Sequence, residues 1–181
     1  MRYAQIRPFD VANGEGIRTS IFVTGCTHKC PECFNEQYQD FNFGDEWTEE
    51  QTKTVIRYLK NPVVSGLTLL GGEPMQNTEL TDVVLKAKQA TGKNVWVYSG
   101  YTYEQILENP KRKALLEACD ILVDGLFVIA LRDLKLRFRG SSNQRVIDIK
   151  KSLASGEVVL YPLEGDIFQA PEMIKLLPQK K

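Results

Sequence analysis

Three thiols fall within eight residues in the stretch Cys26-Thr-His28-Lys-Cys30-Pro-Glu-Cys33. Odd in number and tightly spaced, they cannot make a set of structural disulfides without leaving one thiol over. A metal suits them better. Zinc would need a fourth ligand, and His28 is the single histidine of the chain. Structural zinc sites, however, usually add a second ligand pair far along the sequence, and no such pair exists here. A cluster of four irons takes one thiolate per iron, so three cysteines would leave one iron open to a substrate or cofactor. The fourth cysteine, Cys119, closes an apolar helical turn with Leu115 and Leu116 and reads as a small buried hydrophobe.

A loop of this kind must be held by regular elements. Residues 18–24 are β-branched and aromatic, which predicts a buried strand ending at the cysteines. Strand ends of that polarity are where α/β proteins keep their chemistry. A second such end comes after the apolar run 67–70, at Gly71-Gly72-Glu73-Pro74. The two glycines admit a ligand close to the backbone, Glu73 can pair with an ammonium, and Pro74 stiffens the residues after it; taken alone, the stretch is a tight turn.

Upstream, Asn13-Gly14-Glu-Gly16-Ile-Arg18 reads as a turn-rich approach to the first strand. Thr48-Glu-Glu-Gln51 is a capping box for a helix reaching about Lys60. Asn77 is expected to cap a helix that Gly92 stops, and Thr102-Tyr-Glu-Gln105 opens another, broken near Pro110 and resumed to Cys119. Strands are expected at 94–98, 121–123, 146–149 and 158–161. Alternation of strands and helices implies a parallel sheet with crossover connections.

With 181 residues, 43% hydrophobic and 25% charged, the chain is expected to form one domain over residues 1–170, followed by a tail at 171–181 whose last polar positions have little to bury. Equal numbers of acidic and basic residues, 23 of each, give no bulk electrostatic reason to expect nucleic acid or an anionic membrane as partner. No apolar run approaches the roughly 18 residues of a membrane span, and the start lacks the apolar core of a secretory signal. A cytoplasmic protein is expected, where reduced thiols are the default.

The spacing Cys26-x3-Cys30-x2-Cys33 resembles the signature of the radical S-adenosylmethionine enzymes. That resemblance implies an α/β fold built as a partial (β/α)6 barrel. It also implies one [4Fe-4S] cluster on Cys26, Cys30 and Cys33, with S-adenosylmethionine chelating the open iron. Gly71, Gly72, Glu73 and Pro74 are similar to the family element that holds the amino group of S-adenosylmethionine, with Gly72 leaving room for its approach. Ser99 and Asp124 stand at the strand ends that contact its ribose and carboxylate in relatives, and Phe34, Asn35 and Arg139 complete the implied cofactor set. Two departures are visible: Glu32 stands where many members have an aromatic residue before the third cysteine, and Leu126 where some relatives carry a base.

Gly14-x-Gly16-x-Arg18 is similar to the approach to the first strand in glycyl-radical activating enzymes. The string Arg139-Gly-Ser-Ser-Asn143-Gln144-Arg145, together with residues 94–101 and 121–125, resembles the activating proteins of anaerobic (class III) ribonucleotide reductases. The implied partners are that reductase, as protein substrate, and a low-potential electron donor such as flavodoxin or ferredoxin. Taken by themselves, Arg132, Lys135, Arg137, Arg139 and Arg145, set against Asp133, would be a solvated basic face.

Chain length points the same way. A radical enzyme acting on a small molecule must cover its barrel mouth, which takes extra segments or domains. A short chain with a single cluster leaves the mouth to be closed by the substrate itself, as a protein presenting a glycine loop would do. The competing readings are a radical enzyme acting on a free metabolite and a zinc-binding interaction module built on Cys26, His28, Cys30 and Cys33.

Overall fold

The computed structural model describes residues 1–163. The boundary expected at residue 170 and the tail 171–181 lie outside them. The described residues form seven strands, β1 (Arg2–Asp10), β2 (Ile17–Val23), β3 (Asp45–Glu46), β4 (Val64–Gly71), β5 (Asn94–Tyr98), β6 (Ile121–Asp124) and β7 (Arg145–Asp148). They also form five α-helices, α1 (Glu49–Leu59), α2 (Leu80–Thr91), α3 (Tyr103–Leu107), α4 (Pro110–Ala118) and α5 (Ile149–Ser155).

One sheet holds all seven strands in the order β3-β1-β2-β4-β5-β6-β7. The four central strands β2, β4, β5 and β6 are parallel, as the alternation predicts. Both flanks depart from that expectation. β1 pairs antiparallel with β2 and β3, and β7 pairs antiparallel with β6. The sheet is open, with β3 and β7 at its edges, so a six-unit barrel is not what the described residues form. Residues 158–161 do not make a strand; they contribute a single bridge, Leu160 to Ile147. β1 was not legible because its apolar and polar residues do not alternate cleanly, and an antiparallel edge partner needs only half-buried positions.

Local signals set most boundaries. Both capping boxes form, Thr48 with Gln51 at α1 and Thr102 with Gln105 at α3. Asn109 caps α4, whose first residue is Pro110, and Gly92 ends α2 in the left-handed conformation (φ 66°). Asn77 does not cap α2. Its amide nitrogen instead donates to the Thr24 and Glu73 carbonyls (3.1 and 3.0 Å), tying the end of β2 to the turn after β4, and α2 starts three residues later.

Strand residues alternate between two faces. Ile21, Val23, Leu67, Leu69, Val95, Val97, Leu122 and Ile147 pack against the helices in the main core, which also takes in Cys119. The other face carries smaller clusters, one around Trp96, Ile121, Val123 and Val146 and one around Phe22, Tyr38 and Leu70. All four parallel strands therefore end at one rim, where β2 gives way to the cysteines and Gly71, Ser99 and Asp124 lie in register.

At the opposite ends of the strands lies Arg18, with its side chain only 1% exposed. Its Nε donates to Thr68 Oγ1 (2.6 Å), one terminal nitrogen to the Leu67 carbonyl (2.7 Å) and Asn94 Oδ1 (2.9 Å), and the other to the Glu15 carbonyl (3.2 Å). Its guanidinium also lies over Trp96. Burial lowers its pKa to about 10, so it stays charged at neutral pH. A Cβ on Gly14 would come within 2.7 Å of the Arg18 Cδ, and one on Gly66 within 2.6 Å of its guanidinium. The glycine-rich approach to β2 thus makes room for a buried cation that pins β2, β4 and β5 together.

Beside it is a cavity of about 420 Å³ lined by Glu15, Arg18, Trp96, Asp120, Lys150 and Tyr161. Asp120 accepts from Lys88 (2.8 Å), Lys150 (2.7 Å) and the Val95 N–H (2.8 Å). Burial opposes its charge, but these donors prevail and hold its carboxyl below the usual range.

Replacing Arg18 by methionine strands the Leu67 carbonyl and the Thr68 and Asn94 side chains without their donor. Urea unfolding is expected to show a loss of about 3 kcal/mol, against about 0.5 kcal/mol or less for Lys113→Met on the surface.

Candidate metal and cofactor site

The cysteine loop is pinned at its base. Gly25 N–H donates to the Tyr38 carbonyl (2.8 Å) and Cys26 N–H to the Gln39 carbonyl (3.0 Å), so the chain leaves and returns at one point. Between these ties, Lys29 (φ 50°) and Glu32 (φ 54°) adopt the left-handed conformation, which residues with side chains rarely take. Each immediately precedes a cysteine, so backbone strain sets the direction of Cys30 and Cys33.

Cys26, Cys30 and Cys33 are free thiols, each half-buried. Burial pushes the Cys26 thiol up to about 11 and also raises that of Cys30. Among the described residues no three Cys, His, Asp or Glu side chains converge on a single ion. Three thiols on one loop are soft donors of the kind iron-sulfur chemistry takes.

Against the loop sits the turn after β4. Gly72 N–H donates to the Val23 carbonyl (2.8 Å) and Glu73 N–H to the Gly25 carbonyl (2.9 Å), while Asn35 Nδ2 donates to the Gly71 carbonyl (3.3 Å). Gly71 has φ 115°, and a Cβ there would meet the Val23 backbone. At Gly72 a Cβ would lie 2.6 Å from the Gly25 carbonyl oxygen and 2.7 Å from that of Tyr38. A side chain at Gly72 would therefore run into the base of the cysteine loop.

Glu73 is 1% exposed and its carboxylate is fully engaged. Oε1 accepts from the Met75 N–H (2.8 Å) and Ser99 Oγ (2.9 Å); Oε2 accepts from the Gly100 N–H (2.8 Å) and contacts His28 Nε2 (2.9 Å). His28 also packs edge-on against Tyr101, and a Cβ on Gly100 would strike its ring. A parallel link runs beside it, in which Gln76 Nε2 donates to Thr27 Oγ1 (2.7 Å) and Tyr101 Oη (2.8 Å). The structure thus brings Glu73 and Ser99 together, as expected from their strand ends, and adds His28, Gln76 and Tyr101. A lone histidine between two cysteines was the one sequence signal for that addition, and it pointed equally to a zinc ligand.

Asp124 lies at the same rim, but its oxygens are engaged by Arg145 and by the Tyr103 N–H at the start of α3 (2.7 Å). Arg145 also pairs with Glu104 (2.9 Å). Phe34 is exposed and packs against Phe127, with ring centroids 5.0 Å apart, and Arg132 lies over its other side.

The 139–145 string folds the loop before it. Gln144 accepts from the N–H groups of Gly140 (2.8 Å) and Ser141 (3.2 Å) and donates to the Gly125 carbonyl (2.8 Å). Asn143 donates to the Leu126 carbonyl (2.8 Å), Ser141 Oγ accepts from the Val128 N–H (3.1 Å), and Arg139 donates to the Gln144 carbonyl (3.2 Å). Arg139 is buried in this clasp.

Comparison with known proteins places these features in a family. A family described as a 4Fe-4S single cluster domain matches residues 12–147. The chain is 36% identical over 152 residues to the anaerobic ribonucleoside-triphosphate reductase-activating protein of Salmonella typhimurium, covering 81% of this chain and 97% of that one. It is 37% identical over 150 residues to the protein of the same name from Vibrio cholerae, covering 80% and 96%. The same-named protein of Enterobacteria phage T4 is 37% identical over 150 residues, covering 81% and 93%.

Two substitutions separate the ties at this rim. Gly72→Val forces the Gly25 and Tyr38 carbonyls apart, and the protein purified without air is expected to hold less than half of the wild-type iron. His28→Ala removes a hydrogen bond to a buried carboxylate; iron content is expected to hold while unfolding free energy falls by about 1–2 kcal/mol, with His28→Gln recovering part of the loss.

Proposed function

The chain belongs to the family of anaerobic ribonucleoside-triphosphate reductase-activating proteins, and from that membership we propose that it is a radical S-adenosylmethionine activase that generates a glycyl radical on the anaerobic reductase. The observation that carries this reading is the set of three free, half-buried cysteines on one loop whose His28 contacts the buried carboxylate of Glu73. Cys26, Cys30 and Cys33 would hold one [4Fe-4S] cluster. With one electron from a low-potential donor, such a cluster would supply the reductive cleavage of bound S-adenosylmethionine to methionine and a 5′-deoxyadenosyl radical, the species that would take a hydrogen atom from a glycine Cα.

The protein's own residues bind, orient and shield. Gly71, Gly72 and Pro74 fix the turn that carries Glu73, whose carboxylate would take the amino group of S-adenosylmethionine in place of its His28 contact. Ser99 orients that carboxylate through its hydroxyl. Asn35 holds the turn to the third cysteine's flank, and Phe34 offers a flat apolar face beside it. Asp124 and Arg139 brace the rim, one through Arg145 and α3, the other through the clasp at 139–145. The open sheet, with its α-helices packed against one face, is read as the partial barrel of the radical S-adenosylmethionine enzymes. No helix among the described residues is long and apolar enough to cross a membrane. On this reading the protein lies in the cytoplasm, with electrons drawn from a low-potential donor such as flavodoxin or ferredoxin.

Serine at any one of positions 26, 30 or 33 is expected to abolish the cluster absorbance and S-adenosylmethionine cleavage, because a hard oxygen ligand matches iron-sulfur chemistry poorly; Cys119→Ser is expected to keep both. With reductant, S-adenosylmethionine and the reductase, the wild type is expected to give a doublet by electron paramagnetic resonance, one α-hydrogen remaining on the glycine carbon. Deuterium at that carbon should appear in 5′-deoxyadenosine. Cleavage that proceeds equally without the reductase, and moves no label, would sink the activase reading.

A further inference from the structure

The loop between β6 and β7 forms a ledge beside the cysteines. Phe127 packs on Phe34, which directly follows Cys33; the Phe127 backbone amide reaches Cys30; and Arg132 covers the outer side of Phe34. Within this small region Phe34 (61%), Leu126, Val128, Leu131 and Leu134 (82%) are all exposed. Scattered single apolar side chains need no explanation, but a group rimming a reactive centre does.

This loop is also held rigid. The side chains of Ser141, Asn143 and Gln144 are turned inward onto its backbone, and Ser142 N–H donates to the Leu131 carbonyl (2.9 Å). The apolar residues are thus left outward on a pre-ordered surface, which reduces the entropy lost on association. Arg132 and Lys135 stand among them, and neither makes an ion pair with a described residue. Aromatic, aliphatic and arginine side chains in one patch are the composition of an interface centre, and unneutralised bases select an acidic partner.

We propose that Phe34 and residues 126–135 form the docking surface for the protein substrate, receiving an apolar stretch with acidic residues that adjoins the radical-bearing glycine of the reductase. This rests on the activase reading. The 139–145 string then has a role in that reading, since it builds the ledge that holds the substrate at the mouth of the site.

The test is the double variant Leu134→Asp/Lys135→Glu, with Leu85→Asp, on the exposed side of α2, as control. Iron content and reductant-driven S-adenosylmethionine cleavage without the reductase are expected to match the wild type, which also reports that the variant is folded. Affinity for the reductase, measured by anaerobic titration, is expected to weaken at least tenfold, and the glycyl doublet to fall at low reductase concentration and recover at high. Lys135→Glu alone should lower the salt sensitivity of binding. Reductase affinity of the double variant within twofold of the wild type overturns the proposal, as does a variant that loses only self-association in sedimentation while still binding the reductase. Failure of the wild type to give any doublet would strike the activase reading itself; a normal wild type with an unaffected double variant strikes only the ledge.

Discussion

A carboxylate removed from water must find a donor for each of its lone pairs or give up its charge, and Glu73 is placed where four separate donors can reach it. They come from its own turn (Met75), from the end of β5 (Ser99 and Gly100) and from the cysteine loop (His28). Satisfying this one group brings the ends of β2, β4 and β5 together. An apolar residue in its place would leave the buried Met75 N–H and Ser99 hydroxyl without this acceptor, each at a cost of about 1–3 kcal/mol. Geometry at the rim is therefore set for an electrostatic reason.

Arg18 plays the mirror part at the other end of the sheet. A buried cation draws on acceptors from β4, β5 and the approach to β2, and the glycines around it are small because its side chain occupies their space. Charge at each end of the parallel strands, apolar packing against helices on one face and smaller clusters on the other hold the sheet, while the long connection between β6 and β7 is held by its own polar side chains. There, polar side chains fold the loop from within and apolar ones are left outside, which inverts the usual distribution at a protein surface.

Helix starts and stops were legible because they depend on hydrogen bonds within a few residues: the boxes at Thr48 and Thr102, the proline at 110 and the glycine at 92 all formed as the chain order implied. Central strands were legible because burial on both faces leaves near-continuous apolar runs. Edges were not. β1 and β3 are half-buried or exposed, and the direction of β7 depends on the path of the loop before it, which no local signal encodes. Asn77 shows the same limit within one residue: it is a good cap by type, but its side chain is taken by two carbonyls brought near only by the fold.

By itself the sequence narrowed the chemistry, because ligand number and spacing are fixed along the chain: three cysteines on one loop and a glycine-rich acidic turn pointed to a metal, and the resemblance of the cysteine spacing to a family signature put an iron-sulfur cluster ahead of zinc. The tertiary structure decided the assignments that depend on distance. Gly72 clears space for the backbone of the cysteine loop, Arg18 fills the space left by Gly14 and Gly66, His28 meets Glu73 across 45 positions of sequence, and Asp124 is held by Arg145. A sequence names which groups can donate, accept or ligate. Which of them meet is set by burial and strand register, and those exist only once the chain has folded.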